Sequence, residues 1–144
     1  MIRGSCLCSG VRFEADRAVG PFELCHCPRC RKASGSAFVA GLGVRPDDFR
    51  WLSGTELVQT FEAPIREGPP AYRAAFCSRC GSPVPIARTN WIEIPAGLLD
   101  DDPALRPDKH IFVECKSPWF SIADSLPQLT KVQLAAFRKR SGEG

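Results

Sequence analysis

The stretch Cys25-His26-Cys27-Pro28-Arg29-Cys30 places three thiols within six consecutive residues. Thiolates separated by one or two residues can bind the same zinc ion, because the backbone between them turns tightly around the metal. All three cysteines can therefore reach one ion without help from distant parts of the chain. We predict that Cys25, Cys27 and Cys30 are the ligands of a zinc site.

The remaining cysteines include a second set of closely spaced thiols. Cys6 and Cys8 form a C-x-C motif, and Cys77 and Cys80 form a C-x-x-C motif. Together these two motifs supply the four thiolates of a closed structural zinc site. The eighth cysteine, Cys115, stands apart from both sets in the sequence, and we expect it to be a small buried side chain.

Two other uses of the cysteines stay open at this point. A zinc ribbon would pair Cys27 and Cys30 with Cys77 and Cys80, which would leave Cys25 outside any site. An even number of cysteines also allows a disulfide framework. Thiolate sites of this kind suit iron as well as zinc, although zinc is the usual occupant of four-cysteine sites.

The number of ligands at residues 25–30 decides what that site can do. Structural zinc has four protein ligands, whereas catalytic zinc keeps one position for water or substrate. A three-thiolate site has room for a substrate thiol, which the ion would deprotonate, or for a carbonyl, which it would polarise. If His26, His110 or Cys115 supplies a fourth ligand, the site is structural instead.

Composition narrows the class of protein. The 144 residues include 19 Lys and Arg against 16 Asp and Glu, a net charge of +3 that is too small to indicate nucleic acid binding. No apolar run approaches the roughly 18 residues that span a bilayer. The amino-terminal residues do not resemble a signal peptide. We therefore expect a cytoplasmic protein without a membrane partner, in a compartment that keeps thiols reduced.

Short segments that alternate apolar and polar residues indicate β strands. They are residues 11–14, 38–44, 57–61, 71–76, 91–94 and 111–113. Turn signals separate them, among them Glu67-Gly68-Pro69-Pro70 and Asp100-Asp101-Asp102-Pro103. We predict a mainly β fold of short strands in a single zinc-stabilised domain over residues 1–144, with about 129–144 as a peripheral helix or tail.

Four parts of the chain resemble the glutathione-dependent formaldehyde-activating family, which also contains centromere protein V. They are Gly4-Ser5-Cys6-Leu7-Cys8-Ser9-Gly10-Val11-Arg12-Phe13-Glu14, then Cys25-His26-Cys27-Pro28-Arg29-Cys30-Arg31-Lys32-Ala33-Ser34-Gly35-Ser36, then Phe76-Cys77-Ser78-Arg79-Cys80-Gly81-Ser82, and the group His110-Ile111-Phe112-Val113, Pro118-Trp119-Phe120 and Asp124-Ser125-Leu126-Pro127. One departure is Ser9, where the family usually has glycine. We expect only a local backbone adjustment there.

This resemblance implies an Mss4-like β fold and two zinc ions per chain. It implies a structural zinc on Cys6, Cys8, Cys77 and Cys80, and a catalytic zinc on Cys25, Cys27 and Cys30. The implied activity is that of a carbon–sulfur lyase or synthase that joins glutathione to formaldehyde as S-hydroxymethylglutathione. The expected partners are thus a glutathione-like thiol and an aldehyde, and no residue pattern demands an oligomer.

Several residues near the predicted catalytic site are candidates for supporting roles. Arg29, Arg31 and Lys32 can meet the carboxylates of a thiol substrate. His26 can move a proton, although its ring is expected to point away from the metal because its neighbours turn toward it. His110 can do the same or be a core residue at the start of a strand.

Residues outside the cysteine motifs have mainly structural interpretations. We expect Trp51, Trp91 and Trp119 to lie in the core and Asp124 to cap a turn through its carboxylate. Two other functions stay open: a binding module with two structural zinc ions that contacts nucleic acid or protein, and a thiol redox or metal-handling protein. The second lacks the alternating strand–helix pattern of thioredoxin-like proteins.

Overall fold

The structure is a computed structural model that describes residues 1–66, 68 and 70–142. Glu67 and Pro69 of the predicted turn at 67–70 lie outside the described residues, as do Glu143 and Gly144. Within the described part of the chain, the strands are β1 (Ile2–Ser5), β2 (Arg12–Ala15), β3 (Phe22–Cys25), β4 (Val39–Val44), β5 (Phe49–Ser53), β6 (Val58–Glu62), β7 (Arg73–Cys77), β8 (Ile86–Ala87), β9 (Ile92–Pro95), β10 (Lys109–Ile111) and β11 (Gln128–Leu129). The helices are α1 (Pro28–Ser34) and α2 (Lys131–Ser141). The predicted fold class, mainly β with short strands, is confirmed.

The chain forms two compact units, each built from two separate stretches. Unit 1 contains Met1–Gly20 and Leu42–Arg106, and unit 2 contains Pro21–Gly41 and Pro107–Gly144. The prediction of a single domain over residues 1–144 stays a prediction. No helix in the described part of the chain is long and apolar enough to cross a bilayer.

Unit 1 is built from short antiparallel strands. β1 pairs with β2 and β2 with β5, while β6 pairs with β7 and β8 with β9. Gly4 lies opposite Phe13 in the first pair, where a Cβ would come within 2.3 Å of the Phe13 ring. The Phe13 ring can therefore occupy this position only because residue 4 has no side chain.

The core of unit 1 contains two of its cysteines. Cys6, Val11, Ala75, Cys77 and Val84 form one buried cluster. Trp51, which we expected in the core, is half-buried and packs against this cluster. Two of the thiols predicted to bind zinc thus lie in the packed core.

Unit 2 is organised around three parallel strands in the order β11, β10, β3. Every residue of β10 is buried, as are the first three residues of β3, because parallel strands are usually covered on both faces. In the register of this pair, Ile111 lies level with Cys25 and His110 level with Leu24. The parallel pairing therefore places the end of β3, where the three-cysteine stretch begins, beside His110.

Buried charges fix α2 onto the parallel strands. Lys109 and Glu23 are 4% and 9% exposed, and Lys109 Nζ lies 3.4 Å from Glu23 Oε1. Arg138 of α2 donates to the same carboxylate at 3.0 Å, and the Phe137 ring lies 5.0 Å from Lys109 Nζ. Because a buried charge is tolerated only when it is paired, these contacts specify where α2 packs.

Helix α2 has well-defined ends. The Thr130 side chain and Gln133 form a reciprocal capping box at its start, and Gly142 ends it in a left-handed conformation. Only Leu134 of this helix is fully buried. The helix therefore depends on its caps and on the Arg138 contact rather than on a broad apolar face.

We predict that Gly54→Ala is strongly destabilising. Gly54 has φ +79°, and a Cβ there would lie 2.2 Å from the backbone oxygen of Gly10. Left-handed backbone costs a non-glycine residue about 1–2 kcal/mol, and a clash with backbone adds about 1–3 kcal/mol. We expect urea unfolding of the zinc-loaded protein to show a loss of about 3 kcal/mol or more.

Gly35→Ala is the matched control for this substitution. Gly35 also has positive φ, +64°, but a Cβ there would meet nothing within 4 Å. We expect a loss of only about 1 kcal/mol. Equal losses for the two variants would contradict the close approach of Gly54 to Gly10.

Candidate metal centres

Four cysteines of unit 1 bring their sulfur atoms together. The Sγ atoms of Cys6, Cys8, Cys77 and Cys80 all lie within 4.8 Å of one another. Cys6 and Cys8 are 3.5 Å apart, and Cys8 and Cys77 are 3.9 Å apart. None of the eight cysteines, all of which lie in the described part of the chain, forms a disulfide. Four converging thiols are the donor set of a closed tetrahedral zinc site, and this group fits zinc.

Tight turns bring these thiols together. In the first turn, Ser9 N donates to Cys6 O at 2.8 Å, and Val11 N donates to Cys6 Sγ at 3.3 Å. Ser9 has φ +57°, a left-handed conformation that favours glycine. In the second turn Gly81, at φ +75°, donates to Cys77 O at 2.8 Å.

A serine prepares one of the four thiols to ionise. Ser82 Oγ lies 3.3 Å from Cys80 Sγ and accepts a hydrogen bond from Leu7 N at 3.0 Å. The Ser82 hydroxyl and backbone lower the pKa of Cys80 to about 5. The group therefore has a thiolate available for a cation at neutral pH.

Three cysteines of unit 2 form the second group. The Sγ atoms of Cys25, Cys27 and Cys30 lie within 4.8 Å of one another. Cys25 ends β3, and Cys27 is the N-cap of α1, where its Sγ accepts a hydrogen bond from Cys30 N at 3.3 Å. Pro28 follows at the first helical position, which suits its fixed φ and missing N–H. A strand end and a helix start together turn the three thiols toward one point.

The three thiols of unit 2 cannot ionise independently. Hydrogen bonds from Cys25 and then Cys30 lower the pKa of Cys27 to about 2, whereas contact with Cys27 and then Cys30 raises the pKa of Cys25. One thiolate is therefore formed readily, and further thiolates beside it are opposed by charge repulsion. A divalent cation removes that opposition, so this group also fits zinc.

No fourth ligand joins the unit 2 group within the described part of the chain. No further Cys, His, Asp or Glu ligand atom lies within 4.8 Å of all three sulfurs. The alternative in which His26, His110 or Cys115 completes a four-ligand site is thus not what the structure shows. Cys27 and Cys30 group with Cys25, whereas Cys77 and Cys80 group with Cys6 and Cys8.

The two histidines of the chain form a buried hydrogen-bonded pair. His26 Nε2 lies 2.8 Å from His110 Nδ1, and His110 Nε2 lies 2.9 Å from Asp124 Oδ2. His26 and His110 are 0% and 1% exposed, whereas the Asp124 side chain is 47% exposed. Burial, followed by the proximity of His110, lowers the pKa of His26 to about 4.

Asp124 has two roles in the structure. Its Oδ1 accepts a hydrogen bond from Leu126 N at 2.9 Å, which is the turn-capping role expected from the sequence. Its other oxygen contacts His110, a contact that lowers the pKa of the Asp124 carboxyl. The sequence pointed to these residues singly but not to their connection.

Aromatic rings surround the buried histidines. The ring centres of Phe38 and Phe120 lie 5.3 Å and 6.0 Å from that of His26. Trp119 is 71% exposed, so its predicted core position is wrong. Its neighbour Phe120 takes the inward position instead, and the two rings are 6.5 Å apart. Trp91 is half-buried.

Arg31 stabilises the loop around the histidines. Its Nε donates to His26 O at 3.3 Å, and its Nη1 donates to Ser117 Oγ at 3.1 Å. Lys116 donates to the carbonyls of Ser117 and Phe120. Arg31 is thus engaged within unit 2, while Lys32 of the same helix is exposed.

Comparisons with known proteins match most of the chain. The family model described as glutathione-dependent formaldehyde-activating enzyme matches residues 1–115, which include both cysteine groups. A curated relative from Halomonas elongata, provisionally named a glutathione-dependent formaldehyde-activating enzyme, is 31% identical in an alignment of 131 residues, which covers 85% of this chain and 81% of the relative. A crystal structure of a Rhodobacter sphaeroides protein has a TM-score of 0.52 and 22% identity, and covers 73% of this chain and 91% of that chain. The last similarity concerns the fold alone.

Proposed function

This chain belongs to the family of glutathione-dependent formaldehyde-activating enzymes, and we propose that it forms and cleaves the carbon–sulfur bond between a glutathione-like thiol and an aldehyde. With formaldehyde the product is S-hydroxymethylglutathione. Family membership agrees with the mainly β, Mss4-like fold. One observation carries the proposal: three thiols converge in unit 2, and no fourth ligand atom of the described residues joins them.

The metal assignment follows from the two donor sets. We propose that Cys6, Cys8, Cys77 and Cys80 hold a structural zinc and that Cys25, Cys27 and Cys30 hold a catalytic one. Zinc bound by three thiolates supplies a Lewis acid with room for one more ligand, and it favours the thiolate form of a thiol. The Cys77 and Cys6 positions within the core of unit 1 support the structural role of the first group.

The proposed reaction requires proton movement but no redox partner. The thiol sulfur adds to the carbonyl carbon, the carbon–oxygen double bond becomes a single bond, and the thiol proton ends on that oxygen. Carbon–sulfur cleavage is the reverse. The protein must therefore bind a thiolate and transfer one proton to the carbonyl oxygen. Unit 2 contains both the three thiols and the buried histidine pair. Phe38 and Phe120 exclude water from that pair.

Two of the basic residues of α1, Arg31 and Lys32, have different roles in this proposal. Arg31 shapes the loop through its contacts with His26 and Ser117. Lys32 is exposed on the same helix as Cys30, so we assign it to the carboxylates of a glutathione-like substrate. We also propose a cytoplasmic location, because the cysteines are all outside disulfides and the cytosol keeps thiols reduced.

Exchange between glutathione, formaldehyde and their adduct tests the proposal. We expect the zinc-loaded protein to accelerate this exchange about 100-fold or more, the lower end of what a positioned proton-transfer group supplies. Exchange spectroscopy with 13C-formaldehyde measures the rate without a coupled enzyme. Cys115→Ser, which changes a cysteine outside both groups, should keep the full rate. A protein that leaves the exchange rate unchanged would contradict the enzyme and favour the zinc-stabilised binding module.

A further inference from the structure

We propose that two copies of the chain associate through β6, and that this strand pairs antiparallel with β6 of the second copy about a two-fold axis at Thr60. The pairing would join two β6–β7 sheets into one sheet of four strands. The surface belongs to unit 1, and the association does not depend on the proposed activity.

One edge of the β6–β7 sheet is open. The outer side of β7 is covered, since Cys77 N donates to Ser82 O at 2.8 Å and Val84 N donates to Ala75 O at 3.0 Å. Within the described part of the chain, β7 is the only strand that pairs with β6, and every residue of β6 after Val58 is exposed. The outer side of β6 is therefore accessible to a further strand.

The bonds between β6 and β7 show which backbone groups point outward. Leu57 O and Ala63 N, just beyond the two ends of β6, bond to residues that flank β7 at 2.7 Å and 2.9 Å. Residues that bond to the partner alternate along an antiparallel strand, so the even-numbered residues of β6 direct their N–H and C=O groups away from β7. The N–H of Val58 is bonded within the preceding turn. Thr60 and Glu62 therefore offer the outward donors.

A two-fold axis at Thr60 lets this edge pair with itself. Thr60 of each copy would both donate to and accept from Thr60 of the other, as in the closely spaced pair of an antiparallel ladder. Glu62 would then lie opposite Val58 of the second copy, so no charged residue of β6 meets a like charge. An axis at Glu62 would instead place two carboxylates opposite each other, which is destabilising.

An exposed aromatic side chain favours the same arrangement. Phe61 is 59% exposed, and in this register it lies diagonal to Phe61 of the second copy. Diagonal neighbours in a sheet are within reach of aromatic side chains. β6 contains no Lys or Pro, and its register with β7 is continuous. The strand thus lacks the features that usually protect an edge from pairing.

Charges at the two ends of β6 indicate that the partner is a second copy. Glu56 precedes the strand and Arg66 follows it, and both residues are exposed. Antiparallel pairing brings the beginning of one β6 beside the end of the other, so each Glu56 approaches Arg66 of the second copy. Parallel pairing would bring like charges together. The edge is therefore complementary to itself in charge as well as in hydrogen bonding.

Analytical ultracentrifugation of the zinc-loaded full chain tests the association. We expect a mass that rises with concentration toward that of a dimer. The dissociation constant should be on the order of 10–100 µM, because pairing through one short strand buries less surface than a standard interface. A chain that stays monomeric up to about 1 mM would overturn the inference, since its affinity would then be negligible.

Thr60→Pro should prevent the association without unfolding the protein. Proline removes an N–H that points away from β7, and edge strands tolerate proline at such positions. Two hydrogen bonds are lost per dimer, so we expect the dissociation constant to rise more than about 10-fold. Thr60→Val, which keeps the N–H, is the matched control and should associate as the wild type does. A folded Thr60→Pro protein with wild-type association would overturn the inference.

Charge reversal tests the direction of pairing and does not require the proline variant to fold. Glu56→Lys and Arg66→Glu should each weaken the association by about 3-fold or more at low ionic strength, because each places like charges at both ends of the pairing. An equimolar mixture of the two variants should associate more tightly than either alone, since one protein is then basic and the other acidic at both ends. A mixture that associates no more tightly would overturn the antiparallel pairing.

Amide hydrogen exchange locates the interface. The N–H groups of Thr60 and Glu62 should exchange more slowly as the protein concentration rises. The N–H of Phe61 points toward β7, so its exchange should not change. Concentration-dependent protection at other residues, with none at Thr60, would overturn the inference by showing that the copies associate through another surface.

Discussion

Cys77→Ser will strongly destabilise the protein, by more than about 4 kcal/mol, a loss typical of a lost metal site. Cys77 is 0% exposed and belongs to the core cluster of unit 1. Its loss removes one of four converging sulfurs and leaves a buried hydroxyl without a suitable partner, and both effects destabilise the folded state. Urea unfolding followed by circular dichroism, with zinc in excess, measures the change.

The control for this variant is Cys115→Ser. Cys115 is half-buried and lies outside both cysteine groups. We expect a loss within about 1 kcal/mol, since little buried surface changes. A Cys77→Ser protein that unfolds at the wild-type urea concentration would show that the unit 1 group is not structural.

Cys27→Ser will abolish most activity with little effect on folding. The variant removes one thiolate of the unit 2 group, and we expect the exchange rate to fall more than about 100-fold, since even outer partners of metal ligands contribute 10–100-fold. Helix α1 should still form, because serine is a favoured N-cap and can accept the Cys30 N–H as Cys27 Sγ does. The exchange assay and urea unfolding together measure both effects.

Two results would contradict that account. A Cys27→Ser protein with wild-type exchange activity would show that the three thiols do not carry the reaction. A loss of stability as large as that of Cys77→Ser would show that the unit 2 group is mainly structural. Cys115→Ser controls both measurements, because it removes a thiol of the same unit that belongs to neither group.

The grouping of the cysteines could be predicted from the sequence because most of the geometry is local. Cys25, Cys27 and Cys30 converge through one strand end and one helix start. In the unit 1 group, Cys6 and Cys8 are far in sequence from Cys77 and Cys80. Their grouping could be predicted by elimination, because these two motifs remained once Cys25, Cys27 and Cys30 had been assigned together. Turn chemistry also helped, since Gly81 has the positive φ that such a turn favours.

The parallel strands of unit 2 were harder to predict. β3 was missed because it has only 4 residues. Its one charged residue, Glu23, is buried through its pairing with Lys109 and Arg138. Strands covered on both faces do not alternate. The strand predicted at 111–113 lies earlier in the chain, at Lys109–Ile111. It ends at Ile111 because Phe112 adopts φ +56°.

The hydrogen bonds that connect Asp124, His110 and His26 could not be predicted from the sequence. His26 and His110 are separated by 84 residues, and Asp124 lies 14 residues beyond His110. The parallel pairing of β3 with β10 brings the two histidines together. The exposure of Trp119 could not be predicted either, because an adjacent Trp and Phe do not reveal which ring turns inward.

Metal content per folded chain tests the central claim most directly. Elemental analysis of the zinc-loaded wild type and of Cys27→Ser, each confirmed as folded, would measure it. The account predicts two zinc ions in the wild type and one in the variant, the remaining ion being held by Cys6, Cys8, Cys77 and Cys80. One zinc ion in the wild type, or two retained by the variant, would contradict a separate three-thiolate zinc site in unit 2.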